Sequence, residues 1–572
     1  MKRKRWLVLT LSFLMVFGTA LMGCGGKEQS KEGKTDSTTM DKDQHLNLIF
    51  LEPRTLDVNN CQDTSTSTIL GETQEGLTRI KNTNGKNDEV TPAGAKSWDI
   101  SADGLTYTFH LRDYNWTDGK PVTAQQYVDS IRRLLDPNQA FGYAYFAFDI
   151  KNAEEYYNGQ AKLEDIGVAA KDDKTFVITL KRPTPYFIKK VSNIVFFPIR
   201  LDVIKAGGEN WATDATKQVF CGPYTIKEWT RNNSITLVKN DKYWDKDNVH
   251  ITQVNMNDIQ EFATQAQLFE SGQLDVTGST RDYIEKWTNE AKEGKWQAFR
   301  GNTPNTNYLI FNQKDGGPSG IMKNTKVRLA FSLAFDRNEY LNTLLGRFTP
   351  AYGIIPYSVT TGDSEFRKDE KEPLKDLYDE YNGNPGKLQD LLKQGLKELG
   401  KPIDNLKDIH IKYLTSDTST TGKQEQEWWK SQFEKKLGIT FDINVVGDTT
   451  AYYTQKDAYK YDIAFDGWMG DYNDPMTFLD LFTTSSGTNP DKFSDSKFDE
   501  LYKQLLDEKD NNKRADLYSQ MEKILIADDA GIAPIYYGDT RRFIQNCVKD
   551  FQWPLFGQVY EWRWAYIQGR DK

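Results

Sequence analysis

AKSWDISADGLTYTFHLRDYNWTDGKPVTAQQYVDSIRRLLDP, residues 95–137, sets three local signals in one stretch. LTYTFHL (105–111) alternates polar and apolar residues at period two, the pattern of a half-buried strand. Asp118-Gly119 marks a turn, and Thr123 is a suitable N-cap for the helix that the following residues predict. Trp116, just before the turn, is expected to pack the strand's end on that helix.

Outward from there the body is mixed α/β. TFVITL (175–180) repeats the strand pattern. VRLAFSLAFDR (327–337), KLQDLLKQGLKELG (387–400) and EQEWWKSQFEKKLG (425–438) have helical spacing, the last two ending in glycine. ITFDINVV (439–446) and YDIAFDGW (461–468) then read as strands, so crossover helices on a sheet are expected in the second half. No repeat at periods of 20–50 residues occurs, and no Pro/Gly-rich linker divides the body.

The whole chain has 572 residues, more than one core needs. Its net charge is −9, and beyond the first 23 residues 69 bases face 82 acids, a net of −13. That balance argues against binding nucleic acid through its phosphates. A hydrophobic content of 38% with 14 Trp, 29 Tyr and 30 Phe excludes general disorder. A mean hydropathy of −0.69 excludes a multi-span membrane protein, and four cysteines exclude a disulfide scaffold.

The N-terminus addresses the chain. Lys2, Arg3, Lys4 and Arg5 precede an apolar run from Trp6 to Met22, interrupted by Thr10, Ser12, Gly18 and Thr19 and followed by Gly23-Cys24. This order is that of a secretory signal over residues 1–23, and the run is short for a spanning helix, which takes about 20 apolar residues. Leu21-Met22-Gly23-Cys24 resembles the bacterial lipobox, which implies lipidation at Cys24 and an extracytoplasmic protein anchored to the cell membrane. A plain secretory signal or an uncleaved anchor is the alternative. Residues 24–43, rich in Gly, Ser, Thr and charge, read as a flexible tether. Its Gly33-Lys34-Thr35 is no phosphate loop, because Glu28 stands where that motif needs glycine.

Catalytic signals are poor. His45, His110, His250 and His410 are isolated, so no metal is expected, and no G-x-S-x-G, H-E-x-x-H or G-x-G-x-x-G occurs. Cys61, Cys221 and Cys547 read as buried thiols, or as one unassigned disulfide plus a free thiol. Neither an enzyme nor a cofactor is called for.

The run Trp116…Asp118-Gly119-x-Pro121-Val122-Thr123-Ala124…Ser130…Arg133…Asp136-Pro137 resembles the signature of the bacterial extracellular solute-binding proteins of family 5. EGLTRI (75–80), GPYTIKEW (222–229), NDKYWD (240–245), VRLAFSLAFDR and APIYY (533–537) follow in the family's order, so the resemblance covers roughly 45–570. It implies an α/β, periplasmic-binding-protein-like fold: two lobes joined by a hinge, with an extra subdomain in the first. Mapped here, lobe I is 44–77, 214–302 and 535–572, the insertion 78–213, and lobe II 303–534. The resemblance also implies a receptor that captures a ligand between lobes and delivers it to the membrane permease of an ABC importer, which cytoplasmic ATPases drive. It would work as a monomer.

YDIAFDGWMGDYNDPMTFLDLF (461–482) resembles the cleft segment of the oligopeptide receptors. By matching, Asp471 pairs with the α-ammonium of a bound peptide, a charge-assisted bond that ignores side chains. Trp468 lines a side-chain pocket, and Met469, Gly470 and Tyr472 flank the peptide, glycine permitting close approach. On the other lobe CQDTSTST (61–68) matches a segment that pairs with the peptide backbone, with Thr64 the best candidate; Tyr143 and Tyr537 match aromatic positions near the cleft. Each aromatic reads equally as core. Gln62 and Phe465 depart from an enteric relative, which carries glutamate and arginine there, so peptide length and sequence preference stay open. The alternatives are a dedicated ligand on the same fold (a signal peptide, a dipeptide or a metal chelate) and a secreted hydrolase.

Overall fold

The computed structural model describes residues 39–82, 88–447, 449–486 and 489–570. The signal segment 1–23, the lipidation residue Cys24 and the tether as far as residue 38 lie outside the described residues. Asp41 already belongs to the body: its carboxylate accepts from the backbone N–H groups of Gly569 and Arg570, each at 2.8 Å.

Three larger sheets organise the chain. In the first, strand His45–Ile49 runs parallel to Gln253–Asn257, which continues antiparallel through Ser234–Lys239 to Tyr224–Thr230. The second is antiparallel throughout, in the order Ala95–Ile100, Thr106–Leu111, Thr175–Thr179, Val168–Asp172. The third runs Val276–Thr277, Ile532–Ile544, Gln297–Phe311, Ile463–Met469, His410–Thr415, Thr440–Val445.

The decisive stretch folds as its residues predict. Thr106–Leu111 buries every second residue, Gly119 takes the left-handed φ of +90° that the turn requires, and helix Ala124–Leu134 starts after Thr123. Trp116, 2% exposed, donates from Nε1 to Gln126 of that helix at 3.0 Å. Helix Thr420–Leu437 links the parallel strands His410–Thr415 and Thr440–Val445, the expected crossover, and ends on Gly438 at φ +75°. The 327–337 run differs: its helix, Thr325–Leu333, stops early and a second, Arg337–Tyr340, follows Asp336 as N-cap. In the 61–68 segment Asp63 caps helix Thr64–Thr73 by accepting from Thr66 N–H at 2.8 Å, so Cys61 and Asp63 are extended and Thr64 opens a helix. Cys61, Cys221 and Cys547 are free thiols.

Two long strands, Gln297–Phe311 and Ile532–Ile544, tie the sheet's two ends together. Their pairing breaks after Asn302↔Asp539 and resumes at Thr306↔Tyr537. The bulge leaves Pro304 free to accept from Gly470 N–H at 2.7 Å, which ties the end of the 463–469 strand to it.

Candidate binding cleft

The 463–469 strand brings the candidate residues to one place. It pairs along its length with the 297–311 strand, but with 410–415 only at Ile463 and Ala464. From Phe465 onward its far edge carries no strand among the described residues. The Tyr452 hydroxyl donates to the Phe465 carbonyl at 2.6 Å and the Gly467 N–H to Asp466 Oδ1 at 2.9 Å, and the Trp468 carbonyl accepts from Asn305 Nδ2 at 3.2 Å, on a strand end whose far edge no described strand covers. Such an edge is a template for a further strand.

Asp471 stands just past that edge, between two cavities. One, of about 480 Å³, is bounded by Tyr145, Tyr186, Lys190, Trp468 and Asp480; the other, of about 50 Å³, by Arg79, Asp88, Lys189, Phe556 and Gln558. A third, about 220 Å³, holds Thr64, Met469 and Gly470 beside the strand bulge. The Asp471 N–H donates to Thr477 Oγ1 at 3.0 Å, fixing the turn, and its carboxylate accepts from the Tyr145 hydroxyl at 3.0 Å. No cation forms an ion pair with it among the described residues. Burial pushes its carboxyl up to about 6, against the opposing pull of the Tyr145 bond and of Lys190. Behind it Asp474 locks the turn by accepting from Arg514 at 3.1 Å, from Met476 N–H at 3.1 Å and from Tyr518.

The other expected residues are placed as follows. Trp468 lines the largest of the three cavities, and its buried indole N–H has no partner among the described residues. Met469 is 51% exposed. Gly470 has spent its N–H on Pro304, and a Cβ there would come within 3.0 Å of Phe478 and Phe556, so its small size is needed for packing. Tyr472 is buried and stacked on Tyr186, ring centroids 5.0 Å apart. Thr64 is exposed in the third cavity. Tyr143 packs edge-on against Tyr145, and Tyr537 is 1% exposed in the 532–544 strand, outside all three cavities.

Sequence reading missed Tyr145, although it stands two positions from Tyr143; the two sit at a 3-10 turn, Ala144–Ala147, where residues two apart point to different sides. It missed Lys189, whose ammonium donates to Thr360 Oγ1 and the Gly362 carbonyl at 2.7 Å and to the Asn473 carbonyl at 3.0 Å. It also missed the 554–558 segment that borders two of the cavities.

Residues 89–490 match the family model described as bacterial extracellular solute-binding proteins, family 5 Middle. The chain belongs to this family. It is similar to the oligopeptide-binding protein OppA of Bacillus subtilis (strain 168), 32% identical over 99% of this chain and 100% of that protein. It is similar also to the dipeptide-binding protein DppE of the same organism, 31% identical over 98% and 99%. Among solved structures, Listeria monocytogenes OppA bound to peptide superimposes with a TM-score of 0.73 at 31% identity, over 92% of this chain and 99% of that one. The fold of this family-5 protein is therefore periplasmic-binding-protein-like. Its family consists of solute-binding receptors working outside the cytoplasm, and no described helix is long and apolar enough to cross a membrane.

Proposed function

We propose that this family-5 protein captures peptides by their free α-amino end and passes them to the permease of an ABC importer driven by cytoplasmic ATPases, while lipid on Cys24 holds it at the outer face of the cell membrane. It acts as a monomer and without a cofactor. The observation that carries the reading is Asp471: a carboxylate with no cation partner among the described residues, held just past the end of a strand whose far edge no described strand covers. A peptide laid along Asp466–Met469 gains main-chain hydrogen bonds whatever its sequence, and its ammonium meets Asp471. Lobe I (44–77, 214–302, 535–572) with its insertion (78–213), and lobe II (303–534), close on the ligand by bending where the two long strands lose register. The similarity to OppA and DppE supports a peptide as the cargo.

Calorimetry tests this with a tetrapeptide and its N-acetyl derivative. The free amine is expected to bind roughly 100-fold or more tightly than the acetylated form, the scale for loss of a desolvated charge pair. Equal affinities would overturn the reading. Native mass spectrometry of protein purified without denaturation is expected to give a spread of peptide masses; one discrete mass would replace a general receptor by a dedicated one.

The raised carboxyl adds a pH signature. Near pH 6 Asp471 holds a fraction of a proton in the ligand-free protein, and pairing with an ammonium expels it. Binding should release protons around pH 6, release none at pH 8, and weaken as pH falls below 6. Titrations in buffers of different ionisation enthalpy read this directly, and proton uptake at pH 6 would contradict it.

A further inference from the structure

The largest of the three cavities holds a second carboxylate without a counter-charge among the described residues. Its charged residues sort by partner. Asp149 accepts from Lys190 at 2.5 Å with Arg182 at 3.9 Å, and Glu154 pairs with Lys181 at 2.8 Å. Asp471 has the Tyr145 hydroxyl. Asp480 has no cation within ion-pair distance among the described residues. It opens the short helical turn Asp480–Phe482 directly after helix Met476–Leu479, so the chain that leaves the cleft at Asp471 returns to the same space. Its buried neighbours are treated differently: Asp474 is bonded to Arg514, and Asp149 to Lys190. Asp480 is half-buried where those two are buried, so its carboxylate stays open to the cavity and can meet a cation entering it.

We propose that Asp480 is a specificity-determining residue, receiving the side-chain cation of a basic first residue, so that the preferred ligands are peptides beginning with lysine or arginine. The inference rests on Asp471 holding the α-ammonium, as proposed above. The cavity suits such a side chain. Aromatic walls from Tyr145, Phe148, Tyr186, Trp468 and Tyr502 cover an aliphatic stem, and the stem ends at a carboxylate. Lys190, the cation Asp480 feels most, is committed elsewhere: besides Asp149 its ammonium lies 5.1 Å from the Tyr472 ring centre and 5.4 Å from that of Phe146. Burial, and after it the charge of Asp471, pushes the Asp480 carboxyl up to about 7. An ammonium on Asp471 cancels the second cause, so the first charge of a dicationic residue prepares the site for the second.

The test compares Lys-Ala-Ala-Ala, its Nε-acetyl-lysine form, norleucine-Ala-Ala-Ala and N-acetyl-norleucine-Ala-Ala-Ala by calorimetry. On the native protein the lysine peptide should bind roughly 10- to 100-fold more tightly than the norleucine peptide, the range of one charge-assisted bond. In Asp480→Asn that ratio should collapse toward one. A ratio of one on the native protein, or a preference that survives Asp480→Asn, overturns the assignment of Asp480. Should the variant fail to fold, the lysine and Nε-acetyl-lysine peptides on the native protein decide, equal affinity overturning it. Norleucine against N-acetyl-norleucine tests Asp471 separately, so selectivity for the free amine with no selectivity for lysine sinks this inference and leaves the proposed function standing.

Discussion

Replacing Asp471 with alanine is expected to weaken a free-amine peptide by roughly 30- to 1000-fold and to leave its N-acetyl derivative unchanged. The physical reason is the asymmetry of a desolvated pair: truncating one partner strands the other's charge, a loss of about 2–4 kcal/mol. The fold should not suffer. In the ligand-free protein the ionised carboxylate is a cost: its native pKa is raised from 3.8 to about 6, so its contribution to stability falls as pH rises through that window. Removing it at pH 8 sacrifices the Tyr145 hydrogen bond and relieves that cost, and the urea midpoint should shift little. Unchanged affinity for the free-amine peptide would take Asp471 out of its role; a collapsed midpoint would make the affinity loss structural.

Arg79→Met should produce the largest stability loss, about 3–5 kcal/mol, the range for breaking a buried ion pair from one side. Arg79 is 5% exposed and bonds Glu561 at 2.7 Å and Glu75 at 3.1 Å. Glu72, Glu75 and Glu561 are all 0% exposed, so the substitution leaves three carboxylates crowded in the core. Glu72 is already pushed well above the usual carboxylate range, by burial first and by Glu561 next. The Arg79 guanidinium counters that rise, so without it Glu72 is pushed further up from the ordinary value of 4.5. The native state then binds more protons than the unfolded chain, so the variant's stability falls as pH rises above 4.5. Urea midpoints should therefore differ from the native protein's more at pH 8 than at pH 5.5. A deficit that grows on acidification would contradict the account. The cluster ties helix Thr64–Thr73 to the 552–563 segment, which borders the cleft, so the variant should also bind peptide less tightly.

How much of this was legible beforehand depends on the range of the interaction. Thr106–Leu111, the helix after Thr123 and the crossover helix Thr420–Leu437 were readable because amphipathic period, caps and turn glycines act within a few residues. Asp471 was singled out through a contiguous motif. That Thr64 opens a helix follows from the Asp63 cap, a contact with Thr66 that outweighs the β-leaning Thr-Ser-Thr run. What gives the cleft its character is non-local. The Tyr145–Asp471 bond spans 326 positions, and Lys189 meets Thr360 and Asn473 across 171 and 284. Which carboxylates are neutralised was equally hidden: Asp149, Asp474 and Asp480 read alike in the chain, and packing alone hands a cation to the first two. Local chemistry thus specified the elements and the family. Tertiary structure chose which charges were left unpaired, because a charge's partner is set by distance in space, on which neighbours in sequence carry no information.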